Sequence, residues 1–79
     1  MKQDLSIKQI FDDFTDKMIL SDNEVDILIR YIKNESIVEM ADKTQQSTST
    51  ISRIIAELKV KYEKYKKLEL AKFQVLNKW

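Results

Sequence analysis

Apolar residues recur along this chain at intervals of three and four, the spacing of one helical face, and almost nowhere in strict alternation. A first helix is predicted over about Ile7 to Ile19, burying Ile7, Ile10, Phe11, Phe14 and Met18. Its other face carries Asp12, Asp13 and Asp16, a solvated acidic surface. A second helix, about Asp22 to Lys33, is apolar nearly all round through Val25, Ile27, Leu28, Ile29, Tyr31 and Ile32. That makes it the expected centre of the core. Two shorter stripes follow: Ile37, Met40, Ala41 and Thr44, then Ile51, Ile54, Ile55 and Leu58. Straight continuation past Leu58 would turn Val60 outward beside Arg53 and Ala56, so either the helix breaks or bends near Lys59–Lys61 or Val60 meets something else. A last helix is expected over about Lys64 to Lys78. There Tyr65, Leu68, Ala71, Val75 and Trp79 form one stripe, with Leu70, Phe73 and Leu76 off it.

Serines mark the helix starts. Ser6 with Gln9, Ser21 with Glu24 and Ser36 with Glu39 fit the capping box, in which a hydroxyl and a side chain three residues on satisfy free backbone N–H groups. Leu5 with Ile10 and Leu20 with Val25 add hydrophobic staples. Ser47 signs a further start, and Asn34 is the residue best suited to a left-handed turn after the second helix.

Between the two short stripes lies only Thr44-Gln45-Gln46-Ser47. Helices joined so closely must cross, with the stripe of the second turned towards the first. The outer side of the second then shows Ser49, Ser52, Arg53, Ala56 and Glu57. This is the pattern of a helix-turn-helix, whose second helix suits a nucleic-acid groove.

The expected fold is therefore all-α, about five helices around a helix-turn-helix with a long C-terminal helix. It forms one domain over 1–79: an N-terminal helix (1–19), a helix-turn-helix core (20–58) and a C-terminal, dimerising helix (59–79). The absence of both glycine and proline from all 79 residues agrees with helices throughout. Cysteine and histidine are also absent, which removes disulfides, the usual zinc ligands and the nucleophile–base pairs that use those residues. No glycine-rich phosphate loop exists, and the Asp12–Asp16 cluster lacks the loop of a hard-cation site, so neither an enzyme nor a metal or other cofactor is expected. No apolar run is long enough for a membrane span and no secretion signal is evident, so a cytoplasmic protein with no membrane contact is expected. Lysine outnumbers arginine 12 to 2, a bias expected of an AT-rich genome such as that of a low-GC bacterium, a phage or a plasmid.

Net charge is only +1, but its distribution is uneven. Residues 1–35 hold five basic and eight acidic side chains; residues 36–79 hold nine and five. The basic half is the one with the helix-turn-helix.

From Leu20 to Leu58 the chain resembles the LuxR/GerE-type helix-turn-helix DNA-binding domain. Leu20-Ser21-Asp22-Asn23-Glu24 stands where that family has Leu-Thr-x-x-Glu, followed by Ile27-Leu28. Ser36-Ile37-Val38-Glu39-Met40-Ala41 is similar to its Ser-x-x-Glu-Ile-Ala helix, and Ser47-Thr48-Ser49-Thr50-Ile51 to its Ser-x-x-Thr-Val entry to the recognition helix. Thr44 and Gln45 replace the leucine and glycine of the family turn, and Lys59 stands in place of a later glycine. The part of sigma factors that reads promoter −35 elements is a more distant likeness. The resemblance implies a sequence-specific regulator of transcription that binds double-stranded DNA, in length similar to the stand-alone members of the family.

Arg53 is the expected base reader, through a bidentate contact with guanine; pairing with Glu57 four residues on is the alternative. Ser49 and Ser52 suit bases or phosphates, Ala56 a thymine methyl, and Thr48 with the free N–H groups near Ser47 a phosphate. Gln45 and Gln46 either reach the DNA or simply make a polar turn. Lys43, Lys59 and Lys61 are expected on the phosphate backbone, and the wider run with Lys64, Lys66 and Lys67 is either that or a solvated face. Tyr62 and Tyr65 are expected in the core. Leu70, Phe73, Leu76 and Trp79 are the expected homodimer contact. The rival expectation is a protein-interaction module docking on RNA polymerase or on a phage or regulatory protein; a third is an oligomerising subunit of a DNA-packaging machine.

Overall fold

The computed structural model describes the backbone of residues 5–77 and the side chains of residues 5–68. Within them the chain is helical with no strand: α1 (Lys8–Lys17), α2 (Asp22–Ile32), α3 (Ile37–Thr44) and α4 (Thr48–Asn77). Among the described residues four helices stand where five were expected over Ile7 to Lys78, because α4 is continuous. No break occurs at Lys59–Lys61, and the separate helix expected from Lys64 is the second half of α4. Leaving Val60 outward, 56% exposed, forgoes about 1.5 kcal/mol of burial. Interrupting the helix would instead strip partners from as many as four carbonyls and four N–H groups around the gap. With no glycine or proline to force a stop, continuity wins.

The inner face of α4 organises the molecule. Ile51, Ile54, Ile55, Leu58, Tyr62 and Tyr65 follow one another at helical spacing, and all are buried. Against them lie Phe14 of α1, Ile27 and Leu28 of α2, Met40 and Ala41 of α3, and Leu5. Thus α4 is the common surface on which the other three helices pack, the role expected of α2. Ile29 is 38% exposed, so α2 is not buried all round. Phe14 meets the rings of Tyr62 and Tyr65 edge-on, at centroid distances of 5.5 and 5.4 Å. Such pairs contribute roughly 0.5–1.5 kcal/mol beyond their buried area. Tyr65 buries its ring and donates its hydroxyl to Asp13 Oδ2 at 2.5 Å, so its polar tip is satisfied.

Helix termini follow the serines with one exception. Ser21 accepts from Glu24 N while Glu24 Oε1 accepts from Ser21 N, a complete capping box. Ser36 accepts from Glu39 N at 3.1 Å without the return bond from the Glu39 side chain, so the expected box is only half formed there, and Ser47 accepts from Thr50 N at 3.1 Å. Ser6 does not cap α1: the cap position is Ile7, in an extended conformation and without a side-chain hydrogen bond. That shift leaves Ile7 52% exposed, contrary to expectation, while Leu5 is in the core at 2%.

Three residues without glycine's freedom take left-handed conformations: Ile19 (φ 50°), Asn34 (φ 66°) and Gln45 (φ 56°). Asn34, as expected, closes α2: its own N–H reaches Tyr31 O and that of Glu35 reaches Arg30 O. Gln45 closes α3 in the same way, through Gln45 N to Asp42 O and Gln46 N to Ala41 O. Both are Schellman closures, in which one left-handed residue satisfies the last carbonyls. Ile19 ends the α1 corner two residues beyond Lys17, with its side chain 85% exposed.

Candidate functional site: the outer face of α4

The turn Gln45-Gln46-Ser47 delivers α3 into α4, and the first three turns of α4 carry most of the expected contact residues. Because Ile51, Ile54, Ile55 and Leu58 point inward, the remaining positions are forced out. Thr48, Ser49, Ser52, Arg53, Ala56 and Glu57 are all exposed. The backbone there is regular helix from Thr48 onward, and Ser47 holds its start, its hydroxyl also lying 2.8 Å from Thr50 Oγ1. Among the described residues Arg53 forms no hydrogen bond or ion pair, and Glu57 does not engage it.

Several other expected contacts are already occupied. Lys61 Nζ lies 2.6 Å from Glu24 Oε2, joining α4 to the start of α2. This hydrogen bond is the chief reason the Glu24 carboxyl is held below its ordinary value; partial burial opposes it. Lys43 Nζ lies 2.9 Å from Glu35 Oε1, and Arg30 approaches the same carboxylate at 3.4 Å. Glu35 is accordingly pushed down and Lys43 pushed up, in each case mainly by their mutual hydrogen bond. Arg30 also reaches Asp26 at 3.2 Å. Lys59 is exposed, with its ammonium 5.9 Å from the centre of the Tyr31 ring.

The turn divides its two glutamines. Gln46 exchanges a pair of 3.0 Å hydrogen bonds with the side-chain amide of Asn23, tying the turn to α2. Gln45 supplies the left-handed closure and remains exposed. Lys43, Gln46 and Lys61 therefore serve the architecture in this state, whereas Ser49, Ser52, Arg53 and Ala56 face outward as a group. Tyr62 and Tyr65 are core residues, 4% and 8% exposed. Leu70, Phe73 and Leu76 have no described side chains, and Trp79 lies outside the described residues altogether.

Sequence reasoning missed Asn23, Glu24 and Glu35 as the partners that hold Gln46 of the turn, Lys61 of α4 and Lys43 of α3. Glu24 and Lys61 are 37 residues apart, and Asn23 and Gln46 are 23 apart. No local pattern signals such pairings. Of the two expectations for Val60 the break is absent, and the valine sits on the outer face in a shallow depression with Arg53, Ala56, Glu57, Lys61 and Lys64.

Of the acidic cluster, Asp13 accepts from Tyr65 and pairs with Lys17 at 3.3 Å. Among the described residues no group of three or more metal-ligating side chains is assembled, and no helix is long and apolar enough to cross a membrane. No protein-family model matches the chain, and neither the curated proteins nor the solved structures give a match.

Proposed function

We propose that the protein is a sequence-specific, double-stranded-DNA-binding regulator of transcription, with α3, the turn and α4 acting as a helix-turn-helix and the start of α4 entering the major groove. The observation that carries this reading is the outward face of Ser49, Ser52, Arg53 and Ala56 on a regular, capped helix, with the Arg53 guanidinium unpaired among the described residues. An arginine fork matches the O6 and N7 acceptors of guanine, and the flanking hydroxyls suit bases or phosphates. Thr48 and the first N–H groups of α4 are suited to a phosphate. The resemblance of residues 20–58 to the LuxR/GerE-type domain points the same way.

Backbone contacts fall chiefly to Lys59, since Lys43 and Lys61 already hold carboxylates; those two contribute only by exchanging partners on binding. One such module carries little net charge, so affinity is expected to come from a homodimer. The helix continues twelve residues past Tyr65, roughly 18 Å, with Leu70, Phe73 and Leu76 in that stretch and Trp79 just beyond. A second copy docked there would set the half-site spacing.

The test is selection of bound fragments from a random duplex pool, then anisotropy titration of the selected duplex at two salt concentrations. Arg53→Ala is expected to cost about 1–3 kcal/mol at one base position. Equal binding of Arg53→Ala and wild type to cognate and scrambled duplexes would remove Arg53 from readout.

A second reading, docking on RNA polymerase or a regulatory protein, draws on apolar exposure elsewhere. Val38 on α3 is 70% exposed and Ile37 40%. A depression of about 250 Å³ also opens between α2 and the N-terminal segment, lined by Leu5, Phe11, Ile29 and Ile32. Absence of duplex binding at low salt would favour it.

A further inference from the structure

The continuity of α4 carries its outer face farther than the recognition residues named so far. Val60 lies seven residues beyond Arg53, two helical turns and roughly 10.5 Å along the axis, on the same stripe. It is 56% exposed, and it floors the shallow depression of about 340 Å³ with Ala56. The rim is charged: Arg53, Lys61 and Lys64 against the single carboxylate of Glu57. Among the described residues Lys64, like Arg53, forms no ion pair.

We infer that Val60, together with Ala56, reads thymine methyl groups in the major groove, so that the bound site has thymine about three base pairs from the guanine read by Arg53. The inference rests on the DNA-binding reading above and adds a named base and position to it. Three observations favour DNA over a protein as the occupant. The apolar floor is two small aliphatic side chains, matched to isolated methyl groups; protein hot spots centre on larger aromatic anchors. The two unpaired cations beside it, Arg53 and Lys64, outnumber the one acid on the rim, which suits a polyanion. The stripe also lies on one unbroken helix, as entry into a groove requires. Glu57 faces bases rather than phosphates in this arrangement, where a cytosine amino group is its complement.

The experiment uses the full chain and the selected duplex. Each thymine is replaced singly by deoxyuridine, which deletes only the methyl, and affinities are compared for wild type, Val60→Thr and Val60→Ala. Val60→Thr keeps the branched shape and replaces one methyl by a hydroxyl. For wild type, deoxyuridine at one or two positions is expected to weaken binding about fourfold, the value of one buried methyl. At the thymine that Val60 contacts, that penalty should vanish in Val60→Ala and shrink in Val60→Thr, while a penalty at a thymine contacted by Ala56 alone should persist. Circular dichroism should show both variants as helical as wild type, since Val60 supports no core contact. Tight binding with no deoxyuridine penalty, or with the same penalty in all three proteins, would overturn the thymine assignment and leave the DNA reading standing. Failure of wild type to bind any duplex at low salt would overturn both. Should Val60→Ala fail to fold, the wild-type series alone still decides whether a thymine methyl is contacted.

Discussion

The two faces of α4 belong to the same helix and have opposite constraints. Inward, Ile51, Leu58 and their neighbours on the stripe are sealed against three other helices. Outward, Ser49, Ser52, Arg53, Ala56 and Val60 touch little of the protein itself. A side chain on the inner face is fixed by packing, so its identity reports on the fold. One on the outer face is free to vary without unfolding anything, so an unpaired arginine and a half-exposed valine there call for a use. The same contrast separates the cations of the helix: Lys61 bridges to Glu24, while Arg53 bridges to nothing described.

Substitutions on the two faces should therefore fail in different assays. The largest expected effect is on the inner side. Leu58→Ala is expected to lose about 2–5 kcal/mol in urea unfolding, a large share of what a domain this small has. Arg53→Ala, by contrast, should stay within about 0.5 kcal/mol of wild type in the same assay while losing its base preference. A comparable loss of stability in both would erase the distinction.

An intermediate effect is expected where the faces meet. Lys61→Met removes the partner of a carboxylate whose side chain is only 16% exposed, and should cost about 1 kcal/mol. Its pH dependence has a definite sign. Because Lys61 holds the Glu24 carboxyl below its ordinary value of 4.5, the stabilisation is fully present above that value and is lost as pH falls through the lower, folded one. Unfolding midpoints taken between about pH 7 and about pH 3 should therefore converge for wild type and Lys61→Met at the acid end. Divergence there would mean that the ion pair is not what Lys61 contributes.

The smallest effect concerns the turn. Gln45 occupies a left-handed conformation that glycine adopts without steric cost, so Gln45→Gly should gain about 0.5–1 kcal/mol. Destabilisation instead would show that the Gln45 side chain has a role in the fold.

Local signals in the sequence were read well where chemistry is local. Ser21, Ser36 and Ser47 cap the helices they were expected to cap, and Asn34 takes the left-handed position. The inward stripe of α4 and the exposure of Arg53 follow from helical spacing alone. Ser6 does not cap: Ile7 takes the cap position of α1, and Leu5 is packed in the core. The helix runs on through Lys59–Lys61 because an outward valine costs less than a severed helix. For the site, the free residues were legible from periodicity, whereas the occupied ones were not. Whether Lys43 or Lys61 is available depends on Glu35 and Glu24, which only the fold brings near.

The most direct test is amide NMR of the folded chain titrated with duplex DNA at low salt. Shifts should concentrate on the Ser47–Val60 stretch, strongest around Arg53, and leave α1 unmoved. Saturation of shifts on α1 or the Ile37–Val38 corner, with the start of α4 unperturbed, would contradict the assignment of its outer face as the contact surface.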